Sequence, residues 1–307
     1  MTRPGARLLF VLALLAGCGG STPSERTPAS AVIDVTAIVD QLGTGDAADD
    51  EALIDRLATL GDAAVPTLRD AAIQKPEDVR LAVVDALGQI DTTLAVEALL
   101  HVVGTNDNAR VRASALLALG DRDSPAIRAA FEAALADPSV PLSQTAGATC
   151  GARCTSGAAI DRILTMALDT TPAANFARVR ATLRRILDGS DQAATDYARS
   201  AIRTRTADRL APDQPPDRRA RAALLAADAG IADMETVIAA TVTSSPAHVY
   251  LRVEAIGWLG QSGTAAVVGA LQRALNDPVV APTAARALQA MAARGIDTTS
   301  PGAVPRS

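Results

Sequence analysis

The side chains best equipped for chemistry in this 307-residue chain are few: three cysteines, two histidines and a recurring set of arginines. Cys150 and Cys154 stand at i, i+4. That spacing allows a disulfide if the Cα atoms come within about 7 Å and the side chains align. The other outcome is a pair of free thiols packed in the interior. A redox centre would need a base beside them, and the sequence places none there. His101 and His248 are far apart, and neither lies at metal-ligand spacing with the cysteines, so no metal site is expected. There is no phosphate-binding glycine loop, nucleophile elbow or zinc motif. No catalytic residue and no cofactor are expected, and the chain reads as something other than an enzyme.

The arginines recur with a pattern. Arg80, Arg112, Arg180 and Arg252 each follow an aliphatic residue at the start of a similar ten-residue string. They could form a basic ladder that grasps carboxylates, or each could tie one repeat to the next through acids such as Asp78 or Asp107. The second reading is preferred, because the chain is net acidic and the position is taken by Ser143 and Ala281 in two copies. Trp258, the single tryptophan, stands where sister strings have Ala86 and Ala118. It fills a gap in the core or anchors a partner.

The strings themselves define the elements. "VRLAVVDALG" (79–88), "VRASALLALG" (111–120) and "LRVEAIGWLG" (251–260) share one template, and looser copies end at Gly61, Gly151, Asp188 and Gln289, with a blurred one in 217–228. Val79, Val83, Ala86 and Leu87 form one apolar stripe at helical spacing. The glycine that closes the template reads as a helix stop. Asp137-Pro138 and Asp277-Pro278 read as an N-cap acid with proline at the first helical position. A second amphipathic segment, such as "LAVEALLHVV" or "PAIRAAFEAAL", lies between templates. The unit is helix–turn–helix in about thirty residues, repeated about eight times, and neighbours must stack to bury their stripes.

Composition agrees. Hydrophobic residues make up 49% and aromatic ones 2% of the chain. Few rings leave few stacking platforms for sugars or bases. The formal charge of −5 and the lack of a basic run exclude nucleic acid as a partner.

The N-terminus is of another kind. Arg3 and Arg7 precede an apolar run, Leu8 to Ala16, that is too short to cross a bilayer at about 20 residues per span. This is the layout of a secretory signal peptide. Leu15-Ala16-Gly17-Cys18 resembles the lipobox of bacterial lipoproteins. The resemblance implies cleavage after Gly17, acylation of Cys18 and anchoring of the mature chain to a membrane by lipid. Gly19 after the cysteine implies the outer membrane, with the body facing the periplasm. Removing residues 1–17 takes away Arg3 and Arg7 and moves the charge to −7. Residues 18–30, rich in Gly, Ser, Thr and Pro, read as a flexible linker, residues 31–294 as the repeat body and 295–307 as a flexible tail.

The repeats resemble the HEAT family of α-solenoids, in particular the short form of phycobilisome lyases. This implies an all-α solenoid of about eight helix pairs, with the arginine-bearing helix of each pair lining the concave side. An exported scaffold that binds a protein or peptide is expected, the alternative being an enzyme or enzyme subunit acting on an envelope substrate. Bilin-lyase-like activity is not expected, given export and the lack of a Cys/Tyr/His-rich pocket. Partner contact is expected around Trp258 and the segment "LAPDQPPDRRA" (210–220), read as a long loop carrying Arg218 and Arg219, with Arg221 just beyond it.

Overall fold

In the computed structural model, residues 34–244 and 246–299 are described. The chain divides into two units, Met1–Asp34 and Val35–Ser307, and the repeat helices belong to the second. Cys18, the expected signal peptide and the linker lie outside the described residues.

Among the described residues there are sixteen α-helices and no strands. They are α1 (Val35–Val39), α2 (Ala47–Thr59), α3 (Val65–Gln74), α4 (Glu77–Gln89), α5 (Thr93–Thr105), α6 (Ala109–Ala118), α7 (Pro125–Ala136), α8 (Val140–Thr149), α9 (Gly157–Thr165), α10 (Phe176–Leu187), α11 (Gln192–Thr206), α12 (Pro216–Asp228), α13 (Met234–Thr243), α14 (Val249–Ser262), α15 (Val268–Ala274) and α16 (Ala281–Ala293). Every template string falls in an even-numbered helix, the blurred copy in α12 included. The segments between templates are the odd-numbered helices. Each even helix packs on the next even helix, from α2 to α16, and on the odd helix that precedes it. Odd helices also pack in succession, except that α11 and α13 barely meet. This is an all-α solenoid of two rows.

Local chemistry sets the starts. The Asp46, Thr92, Asn108, Ser124, Ser156 and Asp191 side chains accept from the first backbone N–H groups of α2, α5, α6, α7, α9 and α11, satisfying donors that a helix leaves free. The stripe predicted on α4 is buried in full: Val79, Val83, Ala86 and Leu87 all face the core. One apolar cluster runs between the rows from Ile38 to Met291, so no helix pair is an independent unit.

Three readings of the punctuation change. Gly61, Gly120 and Gly151 do take positive φ after their helices, but Gly88 and Gly260 do not stop theirs: α4 and α14 run on to Gln89 and Ser262. These two glycines serve close packing instead. A Cβ on Gly88 would lie 3.0 Å from the Ala118 Cβ on α6, and one on Gly260 would lie 2.8 Å from the Ala287 Cα on α16. Second, neither Asp137 nor Asp277 is an N-cap. Helices α8 and α16 begin at Val140 and Ala281, and the two aspartates bond to arginines of the preceding repeat instead. Third, the expected flexible tail is docked where it begins. Gly295 at φ 82° turns the chain at the end of α16, Ile296 packs on the core, and the Thr298 carbonyl accepts from Gln272 at 2.9 Å.

Helix α14 offers a test of the glycine argument within one turn. Gly257 has open space around its missing Cβ, whereas Gly260 abuts α16 backbone. Gly257→Ala should stabilise by about 0.5–1 kcal/mol through helix propensity. Gly260→Ala should destabilise by about 1–3 kcal/mol, because α16 has to move away. Urea unfolding of the two single variants checks this, and equal signs would remove the close-approach role.

Candidate functional site

The recurrent arginines face acids supplied by the following repeat. Arg80 on α4 donates to Asp107 at 2.7 Å, just before α6. Arg112 on α6 reaches Asp137 at 3.2 Å, before α8, and Arg252 on α14 reaches Asp277 at 2.7 Å, before α16. The Asp-Pro aspartates are thus acceptors for the preceding even helix. The preferred reading of these arginines as ties holds, with Asp107 and not Asp78 as the partner of Arg80.

These bonds hold the acids in their charged form. Asp107 is kept below the ordinary value of 3.8 by the Arg80 hydrogen bond and charge. Asp137 is kept below it by the Ser139 hydroxyl and backbone N–H, with Arg112 adding to this. Asp277 is lowered by the Val279 backbone N–H and then by Arg252. A carboxylate whose pKa is depressed by folding stabilises the fold above its unfolded value and stops doing so as pH falls through its folded value. Acid should therefore weaken the array from just above pH ~4 downward. The triple variant Asp107→Asn, Asp137→Asn, Asp277→Asn should be weaker at neutral pH and lose less on acidification. Urea midpoints at several pH values would show it, and parallel pH profiles for the two proteins would contradict it.

A second arginine set was not anticipated. Arg122 donates to the Gly88 and Ile90 carbonyls at 3.0 and 3.2 Å, at the end of α4. Arg153 donates to the Gly120 and Arg122 carbonyls, just past α6, and Arg294 to the Gly260 and Gly263 carbonyls at 3.2 and 2.8 Å, at the end of α14. Each satisfies carbonyls that a helix C-terminus leaves unpaired. The sequence did carry a signal: Arg122 and Arg153 both stand two residues beyond the template glycine.

Arg180 departs from its sisters. On α10 it is 4% exposed and bonds Asp228 of α12 at 2.6 and 2.8 Å and Glu254 of α14 at 2.9 Å. Burial alone would push this guanidinium's pKa down, but the two carboxylates outweigh it and the net direction is up.

The expected partner-binding residues scatter. Segment 210–220 is not a long loop: a 3-10 turn, Ala207–Leu210, leads through a short connection into α12 at Pro216. Arg218 is exposed on α12 and Arg219 half-buried. Arg221 is 8% exposed and donates to the Ala167 and Thr171 carbonyls, both at 2.8 Å. There α9 widens into a π turn, Met166–Thr170, and Arg221 satisfies carbonyls at its end. Its side chain is committed to the fold. Trp258 is partly buried against the core. Cys150 and Cys154 are fully buried and joined in a disulfide, with Cα atoms 5.8 Å apart. Among the described residues no cluster of three or more His, Cys, Asp or Glu could hold a metal ion.

A wide concavity lies elsewhere, across α4, α6, α8 and α10. It is a groove of about 720 Å3 whose lining includes the apolar Leu81, Leu117 and Pro141, Gln144 and Thr145 on α8, and Arg110 and Arg178. Leu117 is 58% exposed there. Sequence pattern could not find it, because it depends on what four successive helices leave uncovered.

Residues 35–120, which hold α1 to α6, match a family model described as HEAT repeats. Residues 251–277, which hold α15 and all but the first two residues of α14, match one described as the PBS lyase HEAT-like repeat. The repeats are HEAT-like. Among solved structures, human deoxyhypusine hydroxylase in complex with glycerol aligns over 84% of this chain and 96% of its own, at 19% identity and a TM-score of 0.34. No curated protein matches the sequence. Among the described residues no helix is long and apolar enough to cross a membrane.

Proposed function

We propose that this protein is an envelope lipoprotein, anchored by acyl chains on Cys18 and facing the periplasm from the outer membrane, whose HEAT-like array is a non-enzymatic scaffold for a protein or peptide partner. The anchor rests on the basic start, the short apolar run and the lipobox-like Leu15-Ala16-Gly17-Cys18. More than one acyl chain is needed for firm attachment, since each buried CH2 adds about 0.8 kcal/mol.

The observation that carries the binding reading is the groove across α4 to α10. It joins exposed aliphatic surface to the Ser114, Gln144 and Thr145 side chains, which make no hydrogen bond among the described residues, the mixture that recognition sites use. This moves the proposed contact from the surroundings of Trp258 and residues 210–220 toward α4, α6, α8 and α10. Arg221, already committed to the fold, drops out of the partner-binding set.

The test is made in intact cells. A photo-crosslinking residue at Leu117, in the groove, should give a discrete adduct, and one at Leu94, exposed on α5 of the other row, should not. The Cys18→Ala protein should leave the membrane fraction or stay unprocessed. Adducts from both positions or from neither would sink the scaffold reading. Mature Cys18→Ala protein still in membranes would sink the anchor.

A further inference from the structure

The charge of the groove narrows the chemistry of its occupant. Residues that line it include two arginines, Arg110 and Arg178, and no carboxylate, in a chain with 34 acidic residues and a net charge of −5. Arg178 is exposed and makes no hydrogen bond or ion pair among the described residues. Arg110 is paired with Glu77 at 2.8 Å, but its side chain is 70% exposed. A pair so open to water contributes about 0–1 kcal/mol and can be exchanged for another carboxylate. Both guanidinium groups are therefore open to an incoming anion, and guanidinium binds carboxylate in a two-pronged geometry.

The rest of the lining is not charged. Ser114, Gln144 and Thr145 offer hydroxyl and amide groups of the kind that pair with an extended main chain, and Leu117 stands out of the surface beside them. We infer that the groove takes an extended segment of another protein in which acidic residues flank an aliphatic one. The aliphatic side chain lies on Leu117, the carboxylates meet Arg110 and Arg178, and the main chain pairs with the α6 and α8 polar groups. The chain's own termini do not fit this description. Residues 19–33 carry one acid, Glu25, beside Arg26, and residues 300–307 carry only Arg306.

The inference rests on the scaffold reading and specifies its partner, so the experiment separates the two. Three fluorescein-labelled peptides of one length are titrated with the full chain in detergent, followed by anisotropy. One alternates glutamate with leucine, one replaces glutamate by glutamine, and one by lysine. The glutamate peptide should bind, and more tightly as salt is lowered. Arg178→Glu and Leu117→Asp, both at exposed positions, should each weaken it by about tenfold or more while leaving the circular dichroism unchanged. The glutamine peptide should bind more weakly and the lysine peptide not at all. No binding of the glutamate peptide, equal binding of the lysine peptide, or binding indifferent to both variants overturns the inference. So does sedimentation showing that Leu117→Asp turns a dimer into a monomer, since the occupant is then a second copy. A discrete crosslink from Leu117 in cells alongside any of the first three results leaves the scaffold intact and discards only the acidic partner.

Discussion

Replacing Arg180 with alanine is expected to destabilise the array by about 3–5 kcal/mol, the usual loss on removing one partner from a buried ion pair. The reason is what remains. Asp228 has a side chain only 5% exposed and would be left with the looser Arg184 guanidinium, 4.0 Å away and half exposed, in place of two short bonds. Glu254, at 28%, can turn to water and adds less. The network also joins three successive even helices, α10, α12 and α14, so its loss loosens two interfaces at once. The double variant Arg180→Met, Asp228→Leu should recover most of the loss, because apolar groups of similar volume commonly replace a buried ion pair without penalty. Urea unfolding of the three proteins decides the matter. Arg180→Ala within about 1 kcal/mol of the parent would mean that the network contributes no more than a surface pair.

Arg221→Glu is expected to be comparably damaging, and Arg218→Glu close to neutral, although the two arginines are three residues apart on α12. Arg221 is buried over the Phe176 ring, with its guanidinium carbon 5.2 Å from the ring centre, and donates to two backbone carbonyls. A carboxylate there would face two acceptors and have no donor. Losing charged hydrogen bonds and burying an unpaired anion together cost several kcal/mol, roughly 3–5. Arg218 lies in solvent, where substitutions usually stay within about 0.5 kcal/mol. Thermal unfolding of the two variants distinguishes them. Equal melting temperatures would show that the π turn finds other donors.

These two arginines illustrate what was legible in the sequence. The repeat was, because a stripe that has to be buried leaves a 3.6-residue period, and all eight templates became even-numbered helices. The Arg80–Asp107 tie was also within reach, since its partner lies one repeat ahead. The partners of Arg180 lie 48 and 74 residues away, on two other repeats, and nothing in a local string points to them. Segment 210–220 looked like a loop for its prolines and charges, yet Pro216 is where α12 begins, a position that suits proline. Gly88 and Gly260 looked like stops because the sequence does not tell a glycine needed for φ from one needed for space. The groove had no signature at all, since it consists of surface that packing leaves over.

The two arginine sets have a mechanical consequence. A beam fastened to its neighbour at one point can swing, and one fastened at both ends cannot. The α4/α6, α6/α8 and α14/α16 contacts are fastened twice, by the arginine–aspartate tie at one end of the helices and by arginine on C-terminal carbonyls at the other. The α8/α10 contact has neither fastening among the described residues: Ser143 replaces the arginine, and its hydroxyl bonds its own helix. Helices α4, α6 and α8 are thus cross-tied at both ends, and α10 meets α8 through side-chain packing, so the groove that all four line crosses from tied to untied helices.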